Sequence, residues 1–330
     1  MWTEAQVIEE IARQFPPRPD IAPLGIGDDC AVVSDGQNLI TTDASVESVH
    51  FDLSWMSLAD AAYRCLAANL SDVASMGAEP GCFTLALCLR PDLSFESIRE
   101  AIGALRQCIS DHGLKDCWLI GGDVVRSGVV SFSITMLGKK PDYPLATRGG
   151  ACHDDVLAVL GNMGYSAAGL EICRRNLMYA DEMSEYRPFL EAFKRPRAHC
   201  ALGISLVSQG LIHGMMDTSD GIMLDLPRML SRSDCGAIVD VNAFRADLTM
   251  ENLARELHVQ SRAWMVCGGE DFGLLVAISR DKMERVKSVA ASFGVSFTEL
   301  GRFSKSIRGI RWMDGAKEVQ VKNVSFVHFA

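Results

Sequence analysis

No two cysteines stand at C-x-x-C spacing, although eleven are scattered singly from Cys30 to Cys267. Dispersed thiols exclude a zinc-ribbon or disulfide framework and read as buried side chains in a reducing compartment. Basic charge is also short, with 32 Lys and Arg against 42 Asp and Glu, a formal net charge of -10. That sign argues against a general nucleic-acid binder or a protein held on an anionic membrane. No apolar run approaches the roughly 18 residues that a spanning helix requires. The start, Met1-Trp2-Thr3-Glu4, lacks the basic and apolar regions of a signal peptide. A cytoplasmic protein with no nucleic-acid or membrane partner is expected. The sequence holds no G-x-x-x-x-G-K-[ST], no G-x-G-x-x-G after a strand, no G-x-S-x-G and no H-E-x-x-H. The commonest phosphate, dinucleotide, hydrolase and zincin motifs are therefore excluded as written.

What is present is a globular chain of 330 residues, 48% hydrophobic and 22% charged, long enough for two cores. Helix spacing marks residues 3 to 14, and Ser57 caps a helix running to about Met76. Asn69 and Asp72 sit together at the edge of that helix's apolar stripe. A further helix runs from Ser94 to His112. Strands are read at 31–33, 39–42, 82–89 and 129–137, with Trp118-Leu119-Ile120 a short buried strand. The segment from Gly138 to Asp155 is rich in Pro, Gly and charge, and divides the chain into domains 1–145 and 146–330. The second domain alternates again: strand 156–160, a small-residue helix from Ser166, a helix from about Asp225 because of Pro227, another around Arg255 to Trp264, and strands at 272–278 and 295–300. The fold class expected is α/β with mixed sheets.

The chemistry lies in carboxylates at strand ends and glycine turns. Gly27-Asp28-Asp29 precedes one strand and Asp43 ends the next, so two carboxylates meet at one sheet end. Asp72, Asp123, Asp217 and Asp220 stand in equally sharp contexts, in Asn69-Leu70-Ser71-Asp72, Gly121-Gly122-Asp123 and Asp217-Thr218-Ser219-Asp220-Gly221. One Asp beside a Gly is ordinarily a turn residue or a cap. Several together, with no Cys or His among them, form a hard oxygen set suited to Mg²⁺, which characteristically shares its sphere with substrate phosphates. His50 follows the Asp43 strand as a candidate phosphate donor, and Arg148, in a loop flanked by glycine, is placed to fork onto a phosphate.

Taken in order, Gly27-Asp28-Asp29, Thr41-Thr42-Asp43, His50-Phe51, Gly121-Gly122-Asp123, Ser166-Ala167-Ala168-Gly169-Leu170, Asp217-Thr218-Ser219-Asp220-Gly221 and Gly268-Gly269-Glu270-Asp271 resemble the thiamine-monophosphate kinase family. Its superfamily includes aminoimidazole ribonucleotide synthetase, selenophosphate synthetase and a hydrogenase maturation protein. The resemblance implies the two-domain synthetase-like fold, with the first domain pairing in a homodimer through a shared β-barrel. It implies ATP- and Mg²⁺-dependent phosphorylation of thiamine monophosphate to thiamine diphosphate, with several Mg²⁺ ions. Asp29, Thr41, Thr42, Asp43, Asp72, Asp123, Asp217 and Asp220 would then be metal ligands. Gly122, Asp123, Arg148 and Ser219 would contact ATP, while His50, Glu270 and Phe326 would touch the thiamine phosphate. No covalent nucleophile is implied. The sequence departs from the family at Val124-Val125 after Gly-Gly-Asp, at Tyr165 before Ser166, and at Phe272-Gly273, which bear on the nucleotide pocket and on acceptor preference. The rival readings are a superfamily relative acting on another small-molecule acceptor and a non-catalytic nucleotide-binding dimer. No cysteine precedes Cys30, where a selenophosphate synthetase would carry a reactive one.

Overall fold

The computed structural model describes residues 3–34, 38–175, 177 and 185–325. Two mixed sheets organise them. The first holds β1 (Ala31–Val32), β2 (Asn38–Val46), β3 (Glu79–Leu89), β4 (Trp118–Arg126) and β5 (Ser131–Lys139), in the order β1-β2-β5-β3-β4. Only the β3–β4 pairing is parallel. β5 shows why this sheet is one-sided: Phe132, Ile134 and Met136 are buried, while the intervening Ser131, Ser133 and Thr135 are partly exposed. A period of two turns one face into core.

Helix α2 (Leu58–Ser75) lies on that face, opened by Ser57, whose hydroxyl accepts from the Asp60 N–H at 3.0 Å. It packs against β2 and β5, against α3 (Phe95–Asp111), and on its far side against elements of the second half. A helix covered all round should be apolar all round. Yet Arg64, Asn69, Ser71 and Ser75 are buried on it, and polar groups so placed need partners.

The second sheet has the order β12-β11-β8-β10-β6-β9-β7, with β6 (Val156–Leu160), β7 (Gly214–Asp217), β8 (Gly236–Asp240), β9 (Leu274–Ile278), β10 (Phe297–Ser304), β11 (Ile310–Asp314) and β12 (Lys317–Val319). β6 and β9 are continuous apolar runs, buried at every residue. Both faces are covered, which is what such runs demand. Residues of α6 (Cys200–Ser208) and α10 (Met283–Ser292) pack into one core, and those of α4 (Tyr165–Arg174), α7 (Ile222–Ser231), α8 (Leu248–Glu256) and α9 (Ser261–Cys267) into the other. Helix α5 (Arg187–Lys194) packs on α4.

Four expectations are corrected. The strand at Trp118 is nine residues long and exposed at every one of them, because it is the sheet's outer strand, paired with β3 on one edge and uncovered on its other edge and its faces. Helix α7 begins at Ile222 and contains Pro227; Asp225 accepts from the Asp220 N–H and anchors the helix start ahead of the proline. The helix expected at 255–264 is two helices, α8 and α9, broken at His258, whose φ is +56°. Within one chain the first sheet is open, and no closed barrel occurs among the described residues. No described helix is long and apolar enough to cross a membrane.

Candidate active site

The loop before β1, the middle of β2, the last turns of α2 and the end of β7 converge on one point. The Thr41 hydroxyl donates to Asp72, Ser71 donates to Asp217 at 2.8 Å, and Ser75 donates to Asp29 at 2.7 Å. Three hydroxyls buried around α2 thus find their acceptors in three carboxylates. Ligand oxygens of Asp29, Asp72 and Asp217 all lie within 4.8 Å of one another. Asp43, on the same face of β2 as Thr41, adds its charge to theirs.

Burial pushes every one of these carboxyls above its ordinary range. Asp72 is raised well above it, by burial first and then by the charges of Asp43, Asp217 and Asp29. Asp217 reaches about 8 through burial and Asp29, and Asp28 about 6 through burial and Asp29. Asp29 and Asp43 are also raised by burial, despite Arg148 beside Asp29. Such a group of like charges holds its ionised form comfortably only around a cation. The donors are hard oxygens with no thiolate or imidazole among them, so the residues fit Mg²⁺.

The cluster forms one wall of a cleft of about 860 Å³ between the two halves of the chain. Asp43, Asp72, Asp217, Ser219, Asp220, His50 and Glu270 line it, facing the apolar Trp55, Phe193 and Trp264. Glu270 is delivered by a loop laid against the one carrying Asp217 to Asp220: its N–H donates to Ser219 O at 2.8 Å, and the Phe272 N–H to Thr218 O at 3.1 Å. A Cβ on Gly269 would stand 2.4 Å from Ser219 O, so only glycine permits the contact. Glu270 and Phe272 pay for this approach with φ of +63° and +50°, strain of a kind that persists where surrounding structure enforces it. Glu270 pairs with Arg64, whose guanidinium is buried, stacked 4.3 Å over Phe193 and bonded to Phe193 O. His50 Nδ1 accepts from the Val46 N–H at 3.1 Å, so the neutral ring carries its proton on Nε2.

The other anticipated residues fall as follows. The Thr42 hydroxyl is on the opposite face of β2 from Asp43, bonded to Ile134 O at 3.0 Å. Gly122 and Asp123 lie on β4, three strands from Asp43, which at the usual strand spacing is roughly 14 Å. They do not join the cluster of their own chain. Arg148 engages Asp29 through its Nε at 2.9 Å and through Nη2. Asp220 lines the cleft and pairs with Arg228. Phe326 lies outside the described residues. Tyr165 points away from the cleft's chemistry, donating to Asp247 and packing edge-on to Phe189. Gly273 is needed by packing, since a Cβ there would stand 2.8 Å from Leu160 O. Arg64, Ser71 and Ser75 were not anticipated; for the two serines the signal was a small polar residue inside an otherwise apolar helix.

Residues 27–139 match the AIR synthase related protein, N-terminal domain, and residues 153–312 match the corresponding C-terminal domain. The thiamine-monophosphate kinase of Escherichia coli is 34% identical over 312 residues, 93% of this chain and 92% of that protein. The chain belongs to the thiamine-monophosphate kinase family. Among solved structures, the family member from Stenotrophomonas maltophilia K279a is 29% identical, with a TM-score of 0.76 over 94% of this chain and 96% of that one. AaThiL, solved in complex with AMPPCP and TMP, superposes with a TM-score of 0.84 over 99% of this chain and 97% of that one, at 22% identity. The last likeness concerns the fold; membership in the kinase family rests on the sequence match.

Proposed function

We propose that this protein transfers the γ-phosphoryl group of ATP to thiamine monophosphate, giving thiamine diphosphate and ADP. The observation that carries the reading is the carboxylate cluster opening onto a cleft, in a chain 34% identical to a thiamine-monophosphate kinase. Phosphoryl transfer asks a protein for alignment and charge neutralisation more than for covalent chemistry. The acceptor is already a phosphate oxygen, so no strong base is required. Asp29, Thr41, Asp43, Asp72, Asp217 and Asp220 would hold several Mg²⁺ ions, with Asp123 added as described below. Those ions would supply the positive charge that lets an acidic site take up phosphates it would otherwise repel. The Thr42 hydroxyl is left out of that set. Ser219 would contact ATP, and Arg148 would exchange or share Asp29 with a phosphate. His50 and Glu270 would hold the acceptor phosphate and its attached group, with Trp55, Phe193 and Trp264 offering apolar surface. Phe326 keeps its place as a proposed acceptor contact.

We also propose that the working molecule is a homodimer in the cytoplasm, with domains at 1–145 and 146–330. What supports the dimer is β4, an outer strand whose Ile120 and Val124 are 62% and 69% exposed. An open apolar strand of that length is a natural pairing edge. Pairing it with a second copy would also bring Gly122 and Asp123, remote from their own cluster, toward another.

The test is ADP release with Mg²⁺ and ATP in the presence of thiamine monophosphate, thiamine or no acceptor, with the product identified by chromatography. Thiamine diphosphate formed only from the monophosphate is expected. ATP binding without acceptor-dependent ADP release would move the protein to another acceptor or to a binding role.

A further inference from the structure

A second group of ligand-type side chains gathers at the far end of the larger sheet. β6 and β7 both pair antiparallel with β9 between them, so they run the same way. Their C-terminal ends lead into the cleft; Asp155 and His213 immediately precede their N-terminal ends. The four residues of β7 separate His213 from the carboxylate cluster by roughly 13 Å.

Asp155 is the fixed member. Its side chain is 4% exposed, it accepts from the Cys152 N–H at 2.7 Å, and its two oxygens lie 2.9 and 3.0 Å from His213 Nδ1. The turn that bonds Asp155 to the Cys152 backbone also sets the Cys152 side chain beside it. Ligand atoms of Cys152, Asp155 and His213 all lie within 4.8 Å of one another. Cys152 is also the one cysteine of the eleven that is exposed among the described residues.

We propose that Cys152, Asp155 and His213 form a second metal site, for zinc or a similar thiophilic divalent ion, chemically separate from the hard-oxygen cluster in the cleft. One sulfur, one nitrogen and one oxygen donor make a borderline-soft set that Mg²⁺ does not favour and Zn²⁺ does. Around a tetrahedral ion, with bonds of about 2.0 to 2.3 Å, donor atoms stand about 3.3 to 3.7 Å apart. The His213–Asp155 contact needs to open by a few tenths of an ångström and Cys152 to close by at most about one, both within reach of side-chain rotation. Cys152 and His213 reach the surface, which leaves a fourth position for water. Binding would release the thiol proton to solvent and tie the turn after Arg148 to the start of β7.

The full-length, metal-free protein would be titrated with Co²⁺ as the spectroscopic probe, with Mg²⁺ in excess to occupy the cleft. Expected is a thiolate-to-cobalt charge-transfer band in the near ultraviolet, with the visible bands of a four-coordinate ion, saturating at one ion per chain. Zinc should bleach it stoichiometrically, and the melting temperature should rise with the first equivalent. Cys152→Ser should abolish the charge-transfer band, and His213→Gln should weaken Co²⁺ binding about tenfold or more. His153→Ala, which alters the adjacent exposed imidazole, should leave the spectrum intact. Thermal melting of each variant without metal shows whether it is folded. A folded parent that gives no thiolate band overturns the site, as does a band that survives Cys152→Ser or that depends on His153 instead of His213.

Discussion

Asp217 ends β7 with its carboxyl buried, bonded by the Ser71 hydroxyl and pushed up to about 8 by burial and by Asp29. At neutral pH and without a cation, that carboxyl is mostly protonated, so folding must take up a proton that the unfolded chain does not carry, which costs stability. Asp217→Asn keeps an acceptor for Ser71 and removes the need for that proton. Its metal-free melting temperature is expected to exceed the parent's by a few degrees, on the order of 1 to 2 kcal/mol, while Mg²⁺-dependent turnover falls by about two orders of magnitude or more. Melting in EDTA beside an ADP-release assay checks both, and a less stable variant would mean that Asp217 acts by packing. His50 is separable from this cluster, because its ring is positioned by the Val46 N–H. His50→Ala should raise KM for the phosphate acceptor several-fold more than KM for ATP; equal rises would remove it from the acceptor role. The carboxylates were legible in the sequence because each stands beside a glycine, at the end of an expected strand or, for Asp72, with Asn69 at the edge of a helix's apolar stripe. Arg64 was not, since nothing local distinguishes it from a surface arginine: its meaning lies in Glu270 and Phe193, which are distant in the chain.

Among elements, α2 was legible because its signals are local: Ser57 at the cap, Gly77 at the end and an apolar stripe between. β4 was misread because a pattern of apolar residues tells that a surface wants cover, not what covers it. The start of α7 was hidden because Asp225, five residues beyond Asp220, supplies the anchoring bond. The junction of α3 with the segment entering α6 carries a pH dependence. His112 caps α3, with Nδ1 2.7 Å from Cys108 O and Nε2 accepting from the Ala198 N–H at 3.0 Å. A neutral ring with its proton on Nδ1 satisfies both bonds, whereas a proton on Nε2 would face a donor. Burial, and then Arg197, lower the pKa of His112; burial, Arg197 and His112 push His199 down to about 4. Both folded values lie below the ordinary 6.5, so the unfolded chain takes up protons first as pH falls. Stability from these rings is full above about pH 6.5 and declines toward pH 4, by about 2 kcal/mol for the half-buried His199. The buried carboxylates act with the opposite sign over part of this range. The readout is therefore the difference in melting temperature between parent and His199→Asn, which should shrink from pH 7 to pH 4.5. A constant difference would show that His199 titrates normally.

At the scale of the whole molecule, the open strand β4 and the isolation of Asp123 are one problem with one solution. Asp123 is expected among the metal ligands, yet β5 and β3 lie between it and Asp43 in its own chain. If β4 pairs with a second copy, two-fold symmetry applies the same geometry in both directions, and each chain's Asp123 serves the cluster of the other. Ile120→Glu should then give a monomer by light scattering, with Mg²⁺-dependent turnover lost although the cleft itself is untouched. Mixing separates this arrangement from one in which dimerisation merely steadies each site. Asp43→Asn and Asp123→Asn should each be inactive alone. Unfolded together and refolded at equal amounts, they should recover about a quarter of parental turnover, because half the dimers are mixed and one of their two sites is intact. Each variant refolded separately should recover nothing. If the mixture stays as inactive as its components while light scattering shows mixed dimers, Asp123 works within its own chain or not at all, and the open edge needs another explanation.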